Sequence, residues 1–94
     1  FIENYNMRIG RYDVAIHYMK NVCEKYPDHA FGQLYLARCY AATDEQELAQ
    51  AHAANAIEIF ERDEWWRSLA ARYEVDYSDG AALIAPSPRL ALPA

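Results

Sequence analysis

Gly10-Arg11-Tyr12-Asp13-Val14-Ala15-Ile16 opens a stretch that runs on to Tyr26-Pro27, and Gln46-Glu47-Leu48-Ala49 opens a second that runs on to Ile59-Phe60. Ala15 and Ala49 are 34 residues apart (49 − 15 = 34). Apolar residues follow each of them at steps of three and four, the spacing of an amphipathic helix. Helical segments recurring at a fixed period of about 20–50 residues mark a repeat architecture, in which neighbouring units bury one another's apolar faces. Such an array builds surface rather than a catalytic pocket, so the period points to a binding module.

Working outward, Phe1 to Ile9 reads as the last turns of a helix, broken by Gly10. Tyr12 to Tyr26 is amphipathic through Tyr12, Ala15, Ile16, Met19, Val22, Cys23 and Tyr26, and Pro27 stops it because proline cannot continue the hydrogen-bond ladder. Asp28 is placed to cap the next helix, about Ala30 to Ala42. Thr43 with Gln46 three residues later reads as a capping box, so a third helix is expected from there to about Phe60. Asp63 reads as another N-cap, opening a helix from Glu64 to about Val75 on Trp66, Leu69, Ala70 and Tyr73. Ser78-Asp79-Gly80 is expected to end the helical region. The remainder carries Pro86, Pro88 and Pro93 and reads as an extended tail, yet holds Leu83, Ile84, Leu90 and Leu92. A solvated linker is normally polar, so this tail is expected to be held down, covering Trp66, Leu69 and Tyr73 or docking on another protein.

Ninety-four residues suffice for one small domain with a thin core. The net charge of −5 is uneven: residues 1–42 sum to +1, residues 43–80 to −7, and Arg89 adds one positive charge. An acidic chain lacks the basic footprint of a nucleic-acid binder, and the acidic half reads as a solvated helix surface. Cys23 and Cys39 fall on separate apolar stretches without C-x-x-C spacing. They read as buried free thiols, which favours a reducing, cytoplasmic compartment. No run approaches the ~18–20 apolar residues of a membrane span, and no signal peptide is visible. The chain opens on Phe1 rather than methionine, as expected of a fragment or a processed form.

These segments resemble the tetratricopeptide repeat. That family places an aromatic, a leucine, a small residue and a tyrosine on the first helix of each unit, then two small residues flanking a larger one on the second, then a proline. Ala15, Met19, Val22 and Pro27 fit the second helix of a first unit. Leu36, Ala37 and Tyr40 fit the first helix of a second unit, and Ala49 and Ala56 its second helix. Trp66, Leu69, Ala70 and Tyr73 fill all four places of a third first-helix. Gln33 stands where an aromatic is usual, Ala53 where a larger side chain is usual, and Glu61 in place of proline. The last match aligns at 33 residues (66 − 33 = 33), which puts a one-residue deletion near Phe60 to Asp63. The resemblance implies an all-α chain of antiparallel hairpins stacked as a short right-handed superhelix. Its units would be a partial first repeat over 1–29, a second over 30–62, a capping helix over 63–77 and the tail over 78–94.

The resemblance also implies a concave groove lined by the first helices. Asn4, Met7 and Arg8 would line it from the first unit, Phe31, Leu34, Arg38 and Ala41 from the second, and Arg67, Ala71 and Glu74 from the third. Arg8, Arg38 and Arg67 would form a guanidinium diagonal suited to a carboxylate. Trp65, about 100° round the helix from Trp66, is the single residue best placed as an exposed anchor. The partner-binding set is therefore Arg8, Phe31, Leu34, Arg38, Trp65 and Arg67. The Lys and Asn clamp by which some family members hold chaperone C-termini is missing, because Leu34, Tyr35 and Ser68 occupy its places.

No catalytic motif is present: phosphate loops, H-E-x-x-H and G-x-S-x-G are all missing. His17, His29 and His52 lack metal-ligand spacing and read as surface or half-buried side chains. The chain is therefore expected to be a scaffold, adaptor or assembly module rather than an enzyme, without cofactor or metal. Its partner would be a protein or peptide, with no nucleic acid and no membrane span, and self-association through the exposed repeat ends is a further expectation. The alternative is a C-terminal helical accessory or regulatory region of a larger multidomain enzyme.

Overall fold

The computed structural model describes residues 10–84, and every regular element among them is helical. The order is α1 (Tyr12–Lys25), α2 (Ala30–Ala42), α3 (Gln46–Arg62), α4 (Glu64–Arg72) and α5 (Gly80–Ile84). The expected all-α class holds. Gly10 sits at φ +80, a left-handed conformation natural to glycine, just before α1.

Helix α2 is the centre. Eight of its thirteen residues are buried, and they point in every direction round the helix. A helix apolar all round belongs inside a bundle, and α1, α3 and α5 supply the surroundings. Against α1 the approach is close: a Cβ on Gly32 would lie 3.4 Å from Val22 and 3.5 Å from the Cys23 sulfur. Helix α3 buries Ala49, Ala53, Ala56, Ile59 and Phe60. Its alanines let two backbones approach where larger side chains would hold them apart.

The α2–α3 pair is antiparallel. Asp28 ahead of α2 pairs with Arg62 at the far end of α3. Phe31 meets Phe60 at 5.9 Å between ring centroids, and Tyr40 stacks on His52 at 5.6 Å. Two clusters make up the core. Met19, Leu36, Tyr40 and Ala49 join α1, α2 and the start of α3. Leu34, Ala37, Ala53, Ala56, Ile59, Phe60, Ala70 and Leu83 join α2 to α5.

Three local expectations need correction. The N-cap of α2 is His29, whose Nδ1 accepts the Gly32 N–H at 2.9 Å; Asp28 serves the Arg62 ion pair instead. Thr43 does not open α3. Its hydroxyl donates to the Cys39 and Tyr40 carbonyls at 3.1 and 3.2 Å, closing α2, and α3 begins after Glu45 without a side-chain cap. A threonine hydroxyl can serve the helix behind it as well as the one ahead, and here Asp44 at φ +65 turns the chain between them. Helix α4 stops at Arg72, three residues early, where Glu74 takes φ +56 and the Val75 N–H reaches back to the Ala70 carbonyl at 2.8 Å. The Asp63 cap is as expected, accepting the Trp65 N–H at 3.0 Å.

Ser78-Asp79-Gly80 does not end the helical region either. Asp79 Oδ1 accepts the Ala81 N–H at 3.0 Å and starts α5. Leu83 enters the core as expected of an apolar tail, but α5 lies on α2 and α3, and Tyr73, the residue just past α4, stays exposed. Leu90 and Leu92 lie outside the described residues, as do Asn4, Met7 and the helix read over Phe1 to Ile9.

The alanine seam gives a contrast between neighbours. Ala56→Leu, at a fully buried position, overfills the α2–α3 contact and should cost about 1–3 kcal/mol. Ala54→Leu, on the exposed side of α3, should stay within about 0.5 kcal/mol of wild type. Urea denaturation followed by circular dichroism measures both.

Candidate functional site

The aromatic side chains gather where α2, α3 and α4 meet. Phe31 lies within 6.2 Å, centroid to centroid, of Tyr35, Phe60, Trp66 and Tyr73. Two of these contacts, with Trp66 and Tyr73, are edge-to-face, the arrangement the ring quadrupoles favour. Trp66 in turn meets His29 at 4.9 Å and Trp65 at 4.7 Å. The register of α4 explains the split between the tryptophans. Trp66, Leu69 and Ala70 face the body of the fold, and Trp65, one residue round, is left 62% exposed. Tyr73 is 64% and Tyr26 62% exposed. Beside Trp66 lies an open depression of about 380 Å³, lined also by Lys25, Tyr26, Pro27, Asp28 and His29.

Phe31 is therefore the half-buried hub of this surface, and Trp65 is its most protruding indole. Leu34 is 1% exposed and packed in the core, so it offers no contact surface. Arg38 is half-buried, its Nε donating to the Leu83 carbonyl at 3.1 Å, and burial lowers its pKa from the usual guanidinium value. Arg67 is exposed on the outer face of α4, where one Nη donates to the Glu61 carbonyl at 2.6 Å. Of the three arginines expected to form the diagonal, Arg38 and Arg67 thus engage backbone carbonyls, and Arg8 lies outside the described residues. His29 was not read as a cap in the sequence. Its signal was the Pro-Asp-His run before an apolar helix, where any of the polar residues can cap.

A second polar constellation crosses the α2–α3 seam. Gln33 is buried, and its Nε2 donates to the Pro27 carbonyl at 3.1 Å, which fixes the amide orientation. Its Oε1 then accepts from His52 Nδ1 at 2.7 Å and Asn55 Nδ2 at 3.4 Å. The proton on His52 Nδ1 follows from this, since an amide oxygen can only accept. The polar residue at an expected aromatic position is thereby satisfied. The arrangement supports helix pairing rather than proton transfer. Burial pushes the Cys39 thiol up to about 11 and raises that of Cys23, so neither is an activated nucleophile. Among the described residues no group of three or more His, Cys, Asp or Glu side chains is placed to hold a metal, and no helix is long and apolar enough to cross a membrane.

No protein-family model, curated protein or solved structure matches the chain. Fold and surface define a small all-α helical domain with an exposed aromatic face.

Burial lowers the His52 pKa below the 6.5 of a free imidazole. The unfolded chain therefore binds the more protons between the two values, and stability must rise with pH across that window. The His52 contribution is complete above about pH 6.5 and falls as the pH drops toward the folded value. The urea midpoint should decline between pH 7 and 5.5, and His52→Gln should flatten that decline relative to wild type.

Proposed function

We propose that this chain is a protein-interaction module of the tetratricopeptide type, which holds a peptide segment or a partner helix against its aromatic face. Support for the repeat reading comes from the helix starts. Tyr12 and Gln46 are 34 residues apart, as are Ala30 and Glu64 (46 − 12 = 34; 64 − 30 = 34). Ala15 and Ala49 are both fully buried at that spacing, and Ala37 and Ala70 at 33.

The observation that carries the binding reading is the exposure of Trp65 beside Trp66 and of Tyr73 beside Phe31, in one chain of ring contacts. Isolated exposed apolar residues are ordinary, whereas a contiguous aromatic patch marks an interaction site. Tryptophan and tyrosine also dominate binding energy where they anchor a partner. The depression between Tyr26, Pro27, His29 and Trp66 would receive an apolar side chain of the partner, and Trp65 would lie flat against its backbone. Phe31 supports Trp66, which in turn meets Trp65. Arg67 and Glu64, on the adjoining face of α4, would set the polar rim.

Trp65→Ala removes the indole with little effect on packing, so helical content should be unchanged. Partners retained from a lysate by the wild-type chain should be lost, with affinity for each falling about thirtyfold, the size expected of a hot-spot residue at ~2 kcal/mol. Tyr18→Ala, on an exposed face of α1, should leave retention intact. Equal retention by the Trp65 variant would refute the aromatic-face assignment.

A further inference from the structure

Leu34 and Arg38 are four residues apart on α2 and so share one face. Helix α5 occupies that face. Leu83, 3% exposed, belongs to the same core cluster as Leu34, and its carbonyl takes the Arg38 Nε–H at 3.1 Å. The start of α5 lies close on α3, since a Cβ on Gly80 would be 3.5 Å from the Ile57 Cδ1. Residues 73–79 bring the chain back by a defined route. Val75 is tied to Ala70, Tyr77 stacks on Phe60 at 5.0 Å, and the Ser78 N–H donates to Asp76 at 3.0 Å.

The hold on α5 itself is slight. Five residues fall far short of the ~12–15 at which a helix becomes even marginally stable alone. One side chain, Leu83, is buried, and Ile84 is half-buried. Its opening also returns the half-buried Arg38 guanidinium to water, which offsets part of the cost of exposing Leu83. Elements with few buried contacts open while the rest of a domain stays folded.

We propose that α5 is an exchangeable strap: it fills a seat on α2 and α3 that takes a leucine-bearing helical turn from a partner, with Arg38 capping the carbonyl end of that turn. The proposal rests on the interaction-module reading and names a class of segment that the module accepts. The occupant follows from what already sits there: an apolar turn presenting Leu83 to the core and a backbone carbonyl to Arg38. The chain's own segment then competes with the partner, so the seat is shielded until a better turn arrives.

Native-state hydrogen exchange on the full chain reads the opening. The Leu83 amide, bonded to the Asp79 carbonyl at 2.9 Å, should exchange at least a hundredfold sooner than the amides of Leu36 and Ala37. A capped peptide of residues 76–84 carrying a dye, titrated onto full-length Leu83→Asp and followed by the dye's fluorescence anisotropy, reads the seat. The peptide should bind that variant saturably and the wild-type chain at least tenfold more weakly. The same peptide with its leucine replaced by aspartate should bind neither, and Arg38→Ala in the Leu83→Asp background should weaken binding several-fold.

If Leu83→Asp does not fold, Leu83→Ala takes its place; a chain that Leu83→Ala also unfolds makes α5 a structural element and overturns the proposal. So does exchange of Leu83 together with Leu36 and Ala37, or equal peptide binding by variant and wild type. None of these readouts involves Trp65, so failure of the aromatic face and failure of the strap are separable.

Discussion

Everything in this fold depends on α2 being enclosed. A helix apolar on all sides cannot remain at a surface, and each neighbour of α2 removes a different part of it from water. Helix α1 takes the side carrying Gly32 and Leu36. Helix α3 takes the side carrying Gln33 and Ala37, and α5 covers Leu34 and Arg38. The amphipathic helices are arranged by this requirement: α1 and α3 each bury one stripe, and that stripe is mostly alanine at the closest approaches.

The alanine seam also accounts for the aromatic surface. Small residues draw helices together but bury little apolar area each, so at ~25 cal/mol per Å² each contributes little. The large side chains are displaced to the edge of the seam, where Phe60 and Phe31 anchor a cluster that extends onto α4. There they serve two roles. Phe60 is fully buried and holds the core, while Trp65 and Tyr73 continue the same stack into solvent. The exposed patch is thus held rigid by the core it grows from, which limits the side-chain entropy lost when a partner binds.

The helices were legible in the sequence because their signals are periodic and redundant. The period from Ala15 to Ala49 placed α1 and α3, and the Trp66, Leu69, Ala70 pattern placed the inward face of α4. The boundaries were less legible because capping depends on single side chains with several options. Thr43 could serve the helix before it or after it, and His29 competed with Asp28. Helix α5 could not be read, since five residues carry no periodicity and the prolines beyond it suggested an extended tail. Among the residues assigned to partner binding, Phe31 and Trp65 came to lie in one aromatic cluster because local helical register decides their direction. The placement of Leu34 and Arg38 depended on α5 and so on a return of the chain that spacing does not encode.

Gln33 has a consequence beyond its own hydrogen bonds. Where helical hairpins pack through apolar residues alone, one hairpin can stand in for another, because grease accepts grease. Here the seam carries an address. The carboxamide needs a donor from the third helix on one side and the Pro27 carbonyl on the other, and a third helix without His52 and Asn55 would leave that buried oxygen orphaned. A helix grafted in place of α3 must bring both donors with it.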